Sequence, residues 1–296
     1  VGSTLAVALM AKGYPFASII DRDGKRAVAL ARAVKCGKAF TEIRDIDRGT
    51  ELVFITVSDS QIREVASQLA SSKKLKFGKL TALHCSGVHS AAVLRPLARK
   101  GTAVASLHPV QTFPRDKKPE KLRAKLRGIY YGLDGTELGI KNALRLVADL
   151  DGNALIIPAN MKPLYHVACV FASSYMAMFL KTIAQIAGKI KMEAPWTEVF
   201  GPLMTTSMEN AINDASGLSL TGPIMRKDMA TLDLHLGAIS ASAPYLLPLY
   251  TIGGIEIART LKESGHLADS DLHEIIKKFR THIKSNPSDK PSKVKK

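Results

Sequence analysis

The sequence predicts an α/β protein, a doubly wound parallel sheet followed by an all-α domain. Three observations lead there. Short apolar runs alternate with helical patterns of ten or more residues through the first half, as strands joined by crossover helices do. Polar residues gather where those runs end, at Asp21, at Ser58 and Asp59, at His84 to Gly87, and at Ser106 and His108. From Lys162 onward strand patterns vanish and only helical ones remain.

Residues 2–12 read as the first turns of a helix, with Gly2 and Ala6 as small residues on one face. Residues 16–21 are a short apolar run ending in an acid, and 24–34 are an alanine-rich second helix. A buried strand at 51–57 leads through Ser58 and Asp59 into a helix at 62–70. The strand at 80–83 stops at His84-Cys85-Ser86-Gly87, and the strand at 103–107 stops at His108-Pro109. After a basic loop come a strand at 128–133, a helix at 137–150 and a strand at 154–157. The second half reads as a long helix at 162–188, apolar nearly all round and starting near Pro163, then helices at 196–215, 225–236, 245–264 and 269–283. Acids open the last helix and bases close it, which suits the helix dipole. The expected domains are 1–158, 159–283 and a disordered basic tail at 284–296.

The chain has 296 residues, 46% hydrophobic and 23% charged, a folded composition long enough for two cores. Its net charge of +16 invites a nucleic-acid reading. The excess is local: it sits in 113–127, in Lys73, Lys74, Lys76 and Lys79, and in the tail. No aromatic interleaving, zinc knuckle or helix-turn-helix pattern accompanies it, so nucleic acid is the least favoured partner. Three cysteines exclude a disulfide scaffold and point to a reducing, cytoplasmic setting. No signal-peptide pattern opens the chain. Residues 236–255 carry no charge, but Pro244, Pro248, Gly253 and Gly254 break any continuous span, so a buried helix pair is expected and no membrane partner.

The chain opens directly into a helical pattern at Val1-Gly2-Ser3-Thr4-Leu5. A dinucleotide fingerprint places Gly-x-Gly-x-x-Gly between a first strand and its helix, and an acid about twenty residues further on. Gly2 fits the last of these glycines and Asp21 fits the acid, so a strand and two glycines are expected ahead of Val1. The candidate cofactor contacts are Gly2, Ser3, Asp21, Arg22, Ser58 and Asp59, for NADP or NAD. Asp21 would repel a 2′-phosphate, whereas Arg22, Lys25 and Arg26 could bind one, which tips the balance slightly to NADP.

Four segments occur in order: Leu83-His84-Cys85-Ser86-Gly87, Ser106 to Phe113 with His108-Pro109 inside it, Lys162-Pro163-Leu164-Tyr165-His166, and Leu220 to Asp228 with Gly222-Pro223 inside it. Together they resemble the Rossmann-like proteins that carry a C-terminal domain of unknown function, DUF2520. That family is similar in layout to pyrroline-5-carboxylate reductase, ketopantoate reductase, β-hydroxyacid dehydrogenases and prephenate dehydrogenase. The resemblance covers nearly the whole chain up to the tail. It implies an NAD(P)-linked oxidoreductase without fixing a substrate. The chain departs from the pattern in the missing first glycines and in Ser174, where the family's helix motif leads one to expect Asn.

Hydride transfer at a carbon bearing oxygen or nitrogen needs a proton donor or acceptor beside the heteroatom. His108, at a strand end and held by Pro109, is the first candidate; a histidine that only caps the strand is the alternative. The resemblance to prephenate dehydrogenase implies a serine after the preceding strand as its hydrogen-bonding partner, here Ser86, although Ser86-Gly87 also reads as a tight turn. The resemblance to β-hydroxyacid dehydrogenases implies a catalytic lysine at the start of the long helix, here Lys162. His166 stands one turn on, and the two could hold a substrate carboxylate or merely solvate the helix start. Arg226 suits bidentate carboxylate binding and Asp228 stands beside it, with a structural Arg–Asp pair as the competing account. Nothing near Cys85 points to acyl or thiol chemistry, and His84, His89, His108 and His166 match no zinc spacing, so no metal is expected.

The expected function is hydride exchange between a nicotinamide and a small keto acid, hydroxy acid or imine held near His108, Lys162 and Arg226 in an interdomain cleft. The alternative is a non-enzymatic nucleotide sensor on the same fold. The apolar long helix leads one to expect a homodimer through the helical domain.

Overall fold

A computed structural model describes residues 1–114, 116–214 and 219–284. Its contacts divide into two compact units, Val1–Met176 and Ala177–Lys296. Arg115, the end of the 196–215 helix pattern and the tail from 285 lie outside the described residues.

The first unit begins with helix α1 (Gly2–Ala11), strand β1 (Ile19–Ile20), helix α2 (Gly24–Ala33) and strand β2 (Ala39–Phe40). Asp23 caps α2 by accepting from the Lys25 and Arg26 N–H groups. Strands β1 and β2 form a parallel pair. A five-stranded sheet follows in the order β3 (Leu52–Ile55), β4 (Thr81–His84), β5 (Ala103–Pro109), β6 (Tyr130–Gly135) and β7 (Asn153–Ile156). Between them run α3 (Ile62–Ala70), the short α4 (Arg95–Ala98) and α5 (Pro119–Leu122), and α6 (Glu137–Asp149).

The alternation of side chains along each strand builds the layers. Leu83 on β4 and Ala105 and Leu107 on β5 share a core with Leu5 and Leu9 of α1 and Leu146 and Val147 of α6. Their sequence neighbours Ala82 and Val104 point the other way, into a core with Ile62, Ala66 and Leu69 of α3 and Leu97 of α4. The sheet is thus covered on both faces, as the alternating pattern predicts.

One expectation needs correcting: the sheet is not parallel throughout. Strands β3, β4 and β5 are parallel, β6 runs antiparallel to β5, and β7 is parallel to β6. A parallel neighbour requires a crossover that packs across the sheet. Among its described residues the 110–129 connection supplies α5 and a 3-10 turn at Arg123–Leu126, both of which pack against α1.

Helix α7 (Lys162–Val170), a π-helical turn (Phe171–Tyr175) and α8 (Met176–Ile190) make the expected long helix. From Ala159 to Ile190 it spans 32 residues and contains an 18-residue window of mean hydropathy 1.6, long and apolar enough to cross a membrane by length and composition. The second unit adds α9 (Trp196–Asn213), α10 (Met229–Ser242), α11 (Leu247–Glu263) and α12 (Asp269–Lys284). The charge-free stretch 236–255 is broken at Ala243, between α10 and α11, whose Leu232, Leu236, Ile255 and Ala258 share a core with Phe279 of α12.

Candidate functional site

The carboxyl ends of β1, β3 and β4 and of the adjoining β5 carry the polar residues, the edge where open α/β sheets bind ligands. Helix α1 starts there. A Cβ on Gly2 would lie 2.3 Å from Thr56 Oγ1, just past β3, so only glycine lets the first turn press this closely on the strand end. Asp21 follows β1, and its carboxylate accepts the Asp23 N–H at 2.9 Å. The Arg22 guanidinium donates to Gln61 Oε1 at 3.2 Å, and the Ser58 hydroxyl donates to the same oxygen at 2.9 Å, which links the ends of β1 and β3. Ser3 and Asp59 are exposed on this edge.

Deeper along the same edge lies a cluster of aromatic and basic groups. His108, near the end of β5, has its Nδ1 within hydrogen-bonding distance, 2.7 Å, of the Tyr165 hydroxyl of α7. The His166 ring meets the His108 ring edge-on, with centroids 5.9 Å apart. Gly87 closes the cluster: a Cβ there would stand 2.4 Å from His166 Cδ2 and 2.9 Å from His108 Nε2. Burial, and then the positive charge of Lys162, push His108 down to about 4, so the ring is neutral near pH 7.

Lys162 lies behind this cluster. Its side chain is fully buried. Nζ donates to Ser106 Oγ at 2.7 Å and sits 3.5 Å from Asp134 Oδ1. The other Asp134 oxygen accepts the Ala91 N–H at 2.7 Å. Burial lowers the Lys162 pKa and Asp134 opposes that shift, the balance expected of a buried pair. His84, also fully buried, accepts the Ser86 N–H at Nδ1 and contacts the Ser90 carbonyl through Nε2. That fixes its tautomer, and burial pushes it down to about 4.

Two expected pairings are therefore corrected. Ser86 is not the partner of His108. Its hydroxyl accepts the His89 N–H at 3.1 Å, and its carbonyl accepts from Ser106, so it builds the turn after β4. Lys162 and His166 do not form a paired carboxylate clamp, because α7 is rotated so that Lys162 enters the sheet core while His166 faces Gly87. Cys85 is half-buried, and desolvation pushes its thiol up to about 12, far from a thiolate. Tyr165 and Asp134 carry the geometry and were not singled out from the sequence. The signal for Tyr165 is its place three residues after Lys162 on a helix.

Two family models match the chain. Residues 1–109 match a Rossmann-like domain, and residues 129–257 match the domain of unknown function DUF2520. The chain joins a Rossmann-like domain to DUF2520. The site draws on both, since Gly87 and His108 fall in the Rossmann-like segment and Lys162, Tyr165 and His166 in DUF2520, all within the first compact unit. Arg226 and Asp228 lie in the part of DUF2520 that belongs to the second unit. Asp228 caps α10 there, accepting from Thr231 N at 3.0 Å and from its hydroxyl at 2.6 Å, and Arg226 is exposed.

Solved structures of several oxidoreductases are similar to this chain in fold. A candidate NADP oxidoreductase from Bacteroides fragilis matches with a TM-score of 0.71 at 19% identity, over 87% of this chain and 93% of that one. Prephenate dehydrogenase from Aquifex aeolicus matches at 0.52 and 14% identity, over 88% and 93%. An imine reductase from Streptomyces aurantiacus matches at 0.54 and 13% identity, over 96% and 92%. At these identities the likeness is one of fold. No curated protein sequence matches the chain. A cavity of about 410 Å³ lined by Ala91, Arg95, Val104, Gly135, Ile140 and Ile156 touches Asp134 but neither His108 nor Tyr165, so it is separate from the cluster. Among the described residues no group of three or more His, Cys, Asp or Glu is placed to hold a metal ion.

Proposed function

We propose that this chain is an NADP- or NAD-dependent oxidoreductase that moves hydride between the nicotinamide and a small keto acid, hydroxy acid or imine. The observation that carries the reading is the neutral His108 at a strand end, bonded to Tyr165, on the same sheet edge as the close approach of Gly2 at the start of α1 to Thr56. The nicotinamide, when bound, supplies or takes the hydride. This chain's residues fit such a group. The close packing of Gly2 on Thr56 is what the last fingerprint glycine provides, and the N–H groups of the first turn suit a pyrophosphate. Asp21 already accepts a backbone N–H, and the Arg22 guanidinium reaches Gln61 on the same sheet edge, where it could meet a 2′-phosphate, which favours NADP over NAD.

His108 exchanges the proton at the substrate heteroatom. Ser86 and Gly87 hold the turn that shapes the space beside the ring. Lys162 holds the sheet end together through Ser106 and Asp134 and does not itself reach the substrate. The protein works as a homodimer in the cytoplasm. Leu164, Phe171, Phe179 and Ile190 on the long helix are exposed, and α9 adds Leu203 and Ile212, an apolar surface that a second copy would cover. The free cysteines Cys36, Cys85 and Cys169 suit a reducing compartment.

The test is cofactor binding followed by turnover with a panel of keto acids and cyclic imines. Binding with turnover, reduced about 10²-fold or more in His108→Ala, supports the reading. Binding without turnover on any substrate favours the nucleotide-sensing alternative.

A further inference from the structure

We propose that Tyr165 and the buried Lys162 are positioning residues that hold His108 as a neutral imidazole with its single ring proton on Nε2, aimed past Gly87, so that His108 serves reduction as a hydrogen-bond donor. The proposal rests on the oxidoreductase reading and specifies the state in which that site works. Tyr165 Oη lies 2.7 Å from His108 Nδ1, and burial raises the phenol's pKa, so the phenol keeps its proton and donates it to Nδ1. The ring's own proton is thereby placed on Nε2, the atom nearest the face of Gly87. The phenol is seated by Gly132 on β6, where a Cβ would stand 2.5 Å from Tyr165 Oη.

Charge reinforces the geometry. The groups facing His108 are Lys162 and His166 from α7 and Asp59 from the turn after β3. Lys162 and His166 disfavour an imidazolium, and only Asp59 favours one. Cys169 contacts the phenol, and Asp134 on β6 pairs with Lys162. The Lys162 ammonium also stands 5.5 Å from the centre of the Tyr165 ring.

The chemistry balances without a charged ring. As hydride reaches the substrate carbon, the C=O or C=N electron pair moves to the heteroatom. The heteroatom takes the Nε2 proton, and Nδ1 takes the phenol proton. His108 changes tautomer, and the phenolate left on Tyr165 faces Lys162 until water reprotonates it.

The experiment is a pH titration of ¹⁵N-histidine-labelled full chain by NMR, without substrate, with His108 assigned by difference from His108→Asn. The expected result is an Nε2-protonated His108 that does not titrate from about pH 5.5 to 8. Tyr165→Phe should mix the two tautomers. Lys162→Met combined with Asp134→Asn, which leaves no buried charge unpaired, should raise the His108 midpoint by about one pH unit or more. A wild-type His108 that is protonated on Nδ1, or that titrates near its ordinary value of about 6.5, overturns the proposal whether or not the variants fold. Because this readout needs no turnover, an inactive protein with the expected spectrum would sink the enzyme reading alone. An active protein with a titrating His108 would sink the positioning role alone.

Discussion

His108 and Gly87 work as a pair, because the ring occupies the space that a side chain on Gly87 would need. Gly87→Ala would set a methyl 2.4 Å from His166 Cδ2 and 2.9 Å from His108 Nε2, so both rings must turn. We expect the variant to fold with a loss of about 1–3 kcal/mol, the usual cost of overpacking, and to lose turnover at least about tenfold. Wild-type kinetics in a folded Gly87→Ala protein would detach this edge from the reaction. His84 and His108 also shape the response to acid. Both are held near 4 in the fold against about 6.5 unfolded, so the unfolded chain binds more protons between those values. Their stability contribution is complete above about pH 6.5 and falls as the pH drops toward 4. At about 1.4 kcal/mol per pK unit the two rings together account for several kcal/mol. Urea unfolding across that range should show the loss, and His84→Asn should flatten the curve. Of these residues, His108, Ser86 and Lys162 could be picked out in the sequence because they stand at strand ends or a helix start. Tyr165 carries only its three-residue spacing from Lys162, which does not name its partner, because that depends on how far α7 is rotated once Lys162 is buried.

Helices and strands were legible wherever apolar periodicity is local. Each buried strand of the β3–β4–β5 group reads as an apolar run that stops at polar residues, and the broken 236–255 stretch reads correctly as two helices. The reversal of β6 was not legible, since it turns on where the 110–129 connection packs and not on β6's own residues. Asp228 shows the same limit. A carboxylate next to an arginine reads as a binding pair, yet here it caps α10. The cap predicts that Asp228→Ala lowers the melting temperature while leaving the KM for substrate unchanged, as calorimetry and steady-state kinetics would show. A raised KM at wild-type stability would return Asp228 to the substrate site.

For the whole molecule, the loudest sequence feature, the +16 charge, has little to do with the site, which is built from buried groups and two neutral histidines. The exposed apolar helix says more about assembly. Phe179→Asp should shift a dimer toward monomer in analytical ultracentrifugation by about tenfold or more in dissociation constant, the range for burying a charge in an apolar interface. An unchanged dimer would place the contact elsewhere, and a monomeric wild type would remove it. The most direct test of the oxidoreductase reading is nicotinamide absorbance, followed as wild type and His108→Ala meet small keto acids and cyclic imines. That reading predicts that wild type consumes NADPH with at least one of them and that His108→Ala slows this by about 10²–10⁴-fold. A protein that binds the cofactor but turns over none, or whose turnover is indifferent to His108, would contradict it.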